Sequence, residues 1–253
     1  MNLAFLWMAL ASAGSSVHAE HIDQFGGDFH SVQRPRRAAL PPVTPGPDMV
    51  VSGYLAYWDA DLNLVPWDDL SHLVVFNANA TSTGGLTDTW PWDIAADAVA
   101  MAQPYGVHVQ LAVTNFSSSE LTTLLGSSTY RNNLIDELVD WVDATGAHGV
   151  NIDFEGLPSS RKAEMVTFTR DLEAAVGEVA LATPSVDWSG AWDYSDLSLY
   201  ADLWIMGYGY HYSGSSEAGP VDPLYSGPGT VWASDKSLSW SVDDYLYWGA
   251  DPS

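Results

Sequence analysis

Cysteine is absent from this 253-residue chain, which excludes disulfide bonds and the cysteine-ligated zinc arrangements. The absence does not argue against export, because a chain of this length builds a core large enough to need no covalent staple. Basic charge is nearly as scarce. Lysine occurs only at positions 162 and 236, and with six arginines it leaves a formal net charge of −24. No basic surface remains to neutralise phosphates, so nucleic-acid partners are excluded. Membrane-length apolar runs are missing as well: the N-terminal run from Leu3 to Ala11 falls far short of the roughly 20 residues that cross a bilayer. The histidines include no H-E-x-x-H and no other recognisable ligand spacing, so neither a metal nor a cofactor is expected.

The acidity itself reads as a well-solvated surface, or as adaptation to salty surroundings. Apolar residues make up 47% of the chain, ample for the core of one large domain. The run Leu3–Ala11, followed by small residues and by Val17-His18-Ala19, reads as a secretory signal peptide over residues 1–19, although no Lys or Arg precedes it. A secreted, periplasmic or cell-envelope location follows as the expectation. Residues 20–47 are rich in proline and hold three of the six arginines, the composition of an extended linker.

From residue 48 short apolar runs alternate with helical ones. Strands are expected in "MVVSGYLAYW" (49–58), "LSHLVVFNANA" (70–80), "VHVQLAVTNF" (107–116), "HGVNIDFEGLP" (148–158), "EVALATPSVDW" (178–188) and "ADLWIMGYGYHY" (201–212). Between them, "WDIAADAVAMAQPYG" has helical character and stops near Pro104 and Gly106. Leu134, Ile135, Leu138, Val139 and Val142 recur at helical spacing, as do Met165, Phe168, Leu172 and Val176. Such alternation implies parallel strands joined by crossover helices, in a doubly wound sheet or most of a β/α barrel.

The fourth strand carries the chemistry. Residues two apart in a strand share a face, so Asn151, Asp153 and Glu155 point one way and Val150, Ile152 and Phe154 the other. Two carboxyls on one face of an otherwise apolar segment resist ionising together, which keeps one of them available as an acid. The plainer reading is a half-exposed edge strand with a solvated acidic face.

"HGVNIDFEGLP" resembles the fourth-strand signature of family 18 glycoside hydrolases, the chitinase-like enzymes, written D-G-x-D-x-D-x-E. His148 and Asn151 replace its first two aspartates; the asparagine is similar to that of spore-cortex and peptidoglycan-lytic members. "VSGYLAYWD", "HLVVFNANA" and "VQLAVTNFS" resemble the family's first three strands. "LWIMGYGYHYSG" resembles its M-x-Y-D-Y-H region, with Gly209 where an aspartate is usual. The resemblance implies a (β/α)8 TIM barrel, of which six strands are counted here, so a sequence truncated after the sixth strand and its helix is expected. It also implies a monomer that hydrolyses β-1,4 bonds at N-acetylglucosamine units of a polysaccharide or oligosaccharide, with retention and assistance from the substrate's own acetamide. Glu155 is then the acid, Asp153 and Tyr208 position and stabilise the acetamide, and Asn151 and Met206 support them. Trp58, Trp188 and Tyr210 are the aromatic candidates for sugar binding, since flat rings suit the C–H faces of pyranoses. The alternative is a non-catalytic chitinase-like carbohydrate-binding protein.

Overall fold

The computed structural model describes residues 50–211, 219–225 and 236–252. The expected signal peptide and linker lie outside these residues. Six parallel strands form one sheet in the order β1 (Ser52–Ala56), β2 (His72–Ala80), β4 (His108–Asn115), β5 (Gly149–Phe154), β6 (Val179–Pro184) and β7 (Asp202–Met206). These are the six strands expected from the sequence. A two-residue strand, β3 (Leu86–Thr87), pairs antiparallel with the end of β2 and had no separate sequence signal. The arc curves far enough that Tyr54 of β1 and Trp204 of β7 meet edge to face across its interior, with ring centroids 6.2 Å apart. The architecture is that of a β/α barrel open on one side among the described residues. No helix among them is long and apolar enough to cross a membrane.

The helices cover the outer face, and the sequence explains where each begins and ends. In α1 (Ala95–Ala102) the residues against the sheet are Ala95, Ala98 and Ala102, small enough for close packing, and the chain leaves the helix through Pro104 and a left-handed Gly106 (φ 69°). The helix α2 (Ser118–Gly126) precedes α3 (Ser128–Thr145), and Ser127 caps α3 by accepting a bond from the Tyr130 amide. Leu134, Ile135 and Leu138 bury the inner stripe of α3, and Met165, Phe168 and Leu172 that of α4 (Lys162–Val176). A four-residue turn, α5 (Tyr194–Leu197), joins β6 to β7, and α6 (Leu238–Tyr247) follows.

Two apolar layers result. The outer one packs alternate strand residues, among them Val75, Leu111, Ile152 and Leu181, beneath the helices. A smaller inner cluster joins Val74, Phe76 and Ala112 to Trp58 and Trp204. One close approach sets the spacing at the strands' beginnings. A Cβ on Gly149 would lie 2.0 Å from the Glu178 carbonyl oxygen, so only glycine admits β6 at that distance. Gly149→Ala is therefore expected to destabilise the fold by about 2 kcal/mol, read as a lower melting temperature with the secondary structure intact.

Candidate active site

Strand β5 brings the acidic residues to the C-terminal edge of the sheet, where β/α barrels carry their chemistry. Val150, Ile152 and Phe154 join the core under the helices, and Asn151 and Asp153 are buried on the opposite face. Glu155 follows the strand, its amide donating to the Asn115 carbonyl at 3.1 Å, and Gly156 turns the chain away at φ 73°. The expected alternation holds through the whole strand, and both of its faces are covered. The solvated edge strand of the plainer reading is ruled out.

What surrounds these groups is unusual for buried polar atoms. The Tyr54 hydroxyl reaches from β1 and donates to Asn151 Oδ1 at 3.2 Å. Among the described residues, Asn151 Nδ2, both carboxylate oxygens of Asp153 and Glu155 Oε1 have no hydrogen-bond partner. Leaving buried polar groups unpaired costs about 1–3 kcal/mol each, more for charges. Four such atoms gather at this one spot. Burial, and then the charge of Glu155, push the Asp153 carboxyl from 3.8 up to about 8. Burial also lifts Glu155 above its ordinary range. The Tyr208 phenol is raised by burial and by both carboxylates, so it stays protonated and able to donate.

Asp153, Met206 and Tyr208 stand between two adjoining hollows. One, of about 280 Å³, also takes in Glu155, Thr183, Ser185, Trp188, Trp192 and Gly209. The other, of about 350 Å³, is lined by Tyr54, Ala56, Trp58, Phe76 and Gly207. Trp188 stands 82% exposed at the rim of the first. Its loop is held by Asp187, whose carboxylate accepts backbone N–H bonds from Ser189, Ala191 and Trp192. Trp58 lines the second hollow and packs edge to face on Tyr57.

Tyr210 goes elsewhere. Its ring is buried, and its hydroxyl bonds the Ser241 hydroxyl, which in turn donates to the Ser185 carbonyl. It ties α6 to the end of β6 and lines neither hollow, in contrast to its expected place among the sugar-binding aromatics. Gly209, where an aspartate was expected by resemblance, leaves room for Ser185, whose Oγ would sit 2.7 Å from an added Cβ. His148 accepts a bond from the Val109 amide at 3.0 Å and serves the strand ends opposite the cleft.

Sequence reasoning missed Tyr54, Trp192 and a polar row beside the carboxylates. In that row Asn77 Nδ2 donates to Thr114 Oγ1, and Thr114 Oγ1 donates to Asn79 Oδ1, both at 2.6 Å; Thr114 pairs in register with Asp153. The alternation of Asn77 and Asn79 in "FNANA" is the signal that could have found it.

A sequence model described as "Glycosyl hydrolases family 18" matches residues 50–253. The chain belongs to glycoside hydrolase family 18. YdhD of Bacillus subtilis, named as a putative sporulation-specific glycosylase, is 29% identical over an alignment of 131 positions that covers 48% of this chain and 31% of that protein. Among solved structures, the Group II chitinase catalytic domain 2 of Ostrinia furnacalis superposes with a TM-score of 0.71 at 18% identity, covering 79% of this chain and 61% of that one. The crystal structure of YdhD gives a TM-score of 0.57 at 22% identity, over 70% and 58% of the two chains. At these identities the superpositions establish the shared fold. This family 18 chain thus spans about three fifths of its solved neighbours and about a third of its curated relative. Within that span, Asp153, Glu155, Met206 and Tyr208 lie together around the cleft.

Proposed function

We propose that this cleft hydrolyses β-1,4 glycosidic bonds at N-acetylglucosamine units of chitin or peptidoglycan-type glycans, with retention and with the substrate's acetamide as nucleophile. The observation that carries the reading is the set of unpartnered buried polar atoms on Asn151, Asp153 and Glu155, between hollows edged by Trp58 and Trp188. A substrate supplies what they lack. Its acetamide N–H donates to Asp153, and its glycosidic oxygen accepts the proton of Glu155. A family 18 neighbour, the mutant Ostrinia furnacalis Group II catalytic domain 2, was solved in complex with penta-N-acetylchitooctaose, which supports this substrate class.

The chemistry divides as follows. Before substrate arrives, the pair retains a proton near neutral pH because burial opposes two charges. The arriving N–H stabilises the Asp153 carboxylate and lowers its pKa, leaving Glu155 as the protonated member. Glu155 then protonates the leaving oxygen while the acetamide oxygen attacks the anomeric carbon; afterwards Glu155 acts as base on the incoming water. Asp153 balances the positive charge of the oxazolinium-like intermediate in a water-poor setting, where such stabilisation is large. Tyr208 donates to the acetamide oxygen and holds it in line, and Asn151, fixed by Tyr54, buttresses Asp153. Action as an exported monomer is part of the same proposal.

Turnover of a chromogenic N-acetylglucosamine oligomer is the test. Tyr208→Phe is expected to lower kcat by about 10²-fold with the fold unchanged. Saturable oligomer binding with no turnover by the native chain would instead support a carbohydrate-binding protein.

A further inference from the structure

A second constellation occupies the opposite end of the same strands. His72 opens β2 and His108 opens β4, paired in register, and Glu178 immediately precedes β6. Candidate donor atoms from all three lie within 4.8 Å of one another. Glu178 belongs to the strand beyond β5, so it reaches His108 across the beginning of β5. That beginning is Gly149, where any side chain would strike Glu178. The Gln110 amide donates to Glu178 Oε1 at 2.6 Å and holds the carboxylate in place.

The contacts around His72 engage Nδ1 with Ser71 and turn Nε2 toward Glu178. The Ser71 hydroxyl donates to the Val51 carbonyl at 3.0 Å and accepts from the Val51 amide at 2.8 Å. The same hydroxyl lies 3.0 Å from His72 Nδ1, so that nitrogen is engaged by Ser71 in either tautomer and Nε2 is the one left for a ligand. When Nδ1 of a neutral His72 carries the proton and donates to Ser71, Nε2 presents its lone pair toward Glu178 Oε1, 3.6 Å away. In that tautomer two electron-rich atoms face each other, an arrangement that a cation between them stabilises. Beside them, the His148 ring stacks on His108 at 4.5 Å and 12° from parallel, with its own Nδ1 taken by the Val109 amide. Asp202 adds negative charge near His72.

We propose that His72 Nε2, His108 Nδ1 and Glu178 form a binding site for a divalent transition metal, zinc being the best match, which clamps β2, β4 and β6 together. Two imidazoles and one carboxylate suit zinc, whereas magnesium and calcium favour all-oxygen sites. Donors about 2.1 Å from a tetrahedral zinc lie roughly 3.4 Å apart, close to the His72–Glu178 spacing of 3.6 Å. His108 and Glu178 stand closer, at 2.6 Å, as a hydrogen-bonded pair. The metal replaces that proton, and the half-exposed His108 ring swings outward by under an ångström. The Ser71 and Gln110 bonds supply the outer partners that orient metal ligands. No sequence motif announces the site, because the ligands lie 36 and 70 residues apart along the chain.

Calorimetric titration of the full chain with zinc chloride, in excess magnesium, tests the proposal. The expected result is saturable binding of about one zinc per chain and a melting temperature raised by about 5–10 °C at a hundredfold excess over Kd. His108→Ala and Glu178→Gln each abolish both effects. In the unaltered chain, cobalt(II) gives visible ligand-field absorption and shifts the imidazole NMR signals of His72, His108 and the stacked His148 in preference to the remaining histidines. No saturable binding, binding that magnesium displaces or that survives in both variants, or cobalt shifts spread over all the histidines would overturn it, marking an adventitious ion on an acidic surface.

Discussion

Replacing Glu155 with glutamine is expected to reduce kcat on a chromogenic N-acetylglucosamine oligomer by about 10³-fold or more, while the melting temperature and the affinity for the oligomer change little. Glutamine keeps the shape of the carboxyl and loses only the transferable proton. Glu155 Oε1 has no partner among the described residues, and the residue's anchor is its backbone amide on the Asn115 carbonyl, which the substitution leaves alone. A loss confined to kcat assigns Glu155 to the transition state; a rise in KM of the same size would assign it to binding. A fall in melting temperature comparable to that of a core truncation would reduce it to a structural residue.

Asp153→Asn is expected to produce opposite effects on activity and stability. Activity falls by about 10²–10³-fold, because the intermediate loses its countercharge. Stability behaves differently, because burial and Glu155 raise the carboxyl of the folded chain from 3.8 to about 8. Between those values the folded state holds a proton that the unfolded state has released, so this group's contribution is fully present below pH 3.8 and is lost as pH rises through 8. Each pKa unit corresponds to about 1.4 kcal/mol, which makes the loss several kcal/mol in size. Asparagine stays neutral throughout. The variant should therefore melt with the native chain near pH 4 and at least about 5 °C above it at pH 9, in differential scanning calorimetry across that range. Native activity should decline on the alkaline side near pH 8, where the pair gives up its shared proton. Parallel melting curves at every pH would refute the burial of this carboxyl as its dominant influence. A more stable, less active variant is the usual mark of a site whose strain serves function.

The fold was legible where one residue face has one task. In β5 the inner and outer faces differ so sharply that Val150, Ile152 and Phe154 could be separated from Asn151, Asp153 and Glu155 by counting alone. The helices α3 and α4 were equally plain, because Leu134 and Leu138, or Phe168 and Leu172, keep a helical period against the sheet. Contacts made by folding were hidden. Tyr54 meets Asn151 across 97 positions, and nothing in "VSGYLAYWD" names that partner. Tyr210 sits in the same short motif as Tyr208, yet the Ser241 hydroxyl from α6 draws it away from the cleft while Tyr208 stays beside Asp153. Sequence alternation cannot distinguish two tyrosines two residues apart when a helix that follows decides between them. His72, His108 and Glu178 were invisible for the same reason: strand register, rather than sequence spacing, brings them together.

In the proposed mechanism Glu155 and Asp153 act with the substrate's own acetamide to cleave and retain. Proton NMR of the first products released from an N-acetylglucosamine oligomer tests it most directly, read before mutarotation scrambles the new reducing end. The β-anomer is expected first, with the α-anomer growing in only as solution equilibrium is reached. An initial α-anomer would contradict it, and so would turnover that is undiminished when the acetamide is replaced by a free amine.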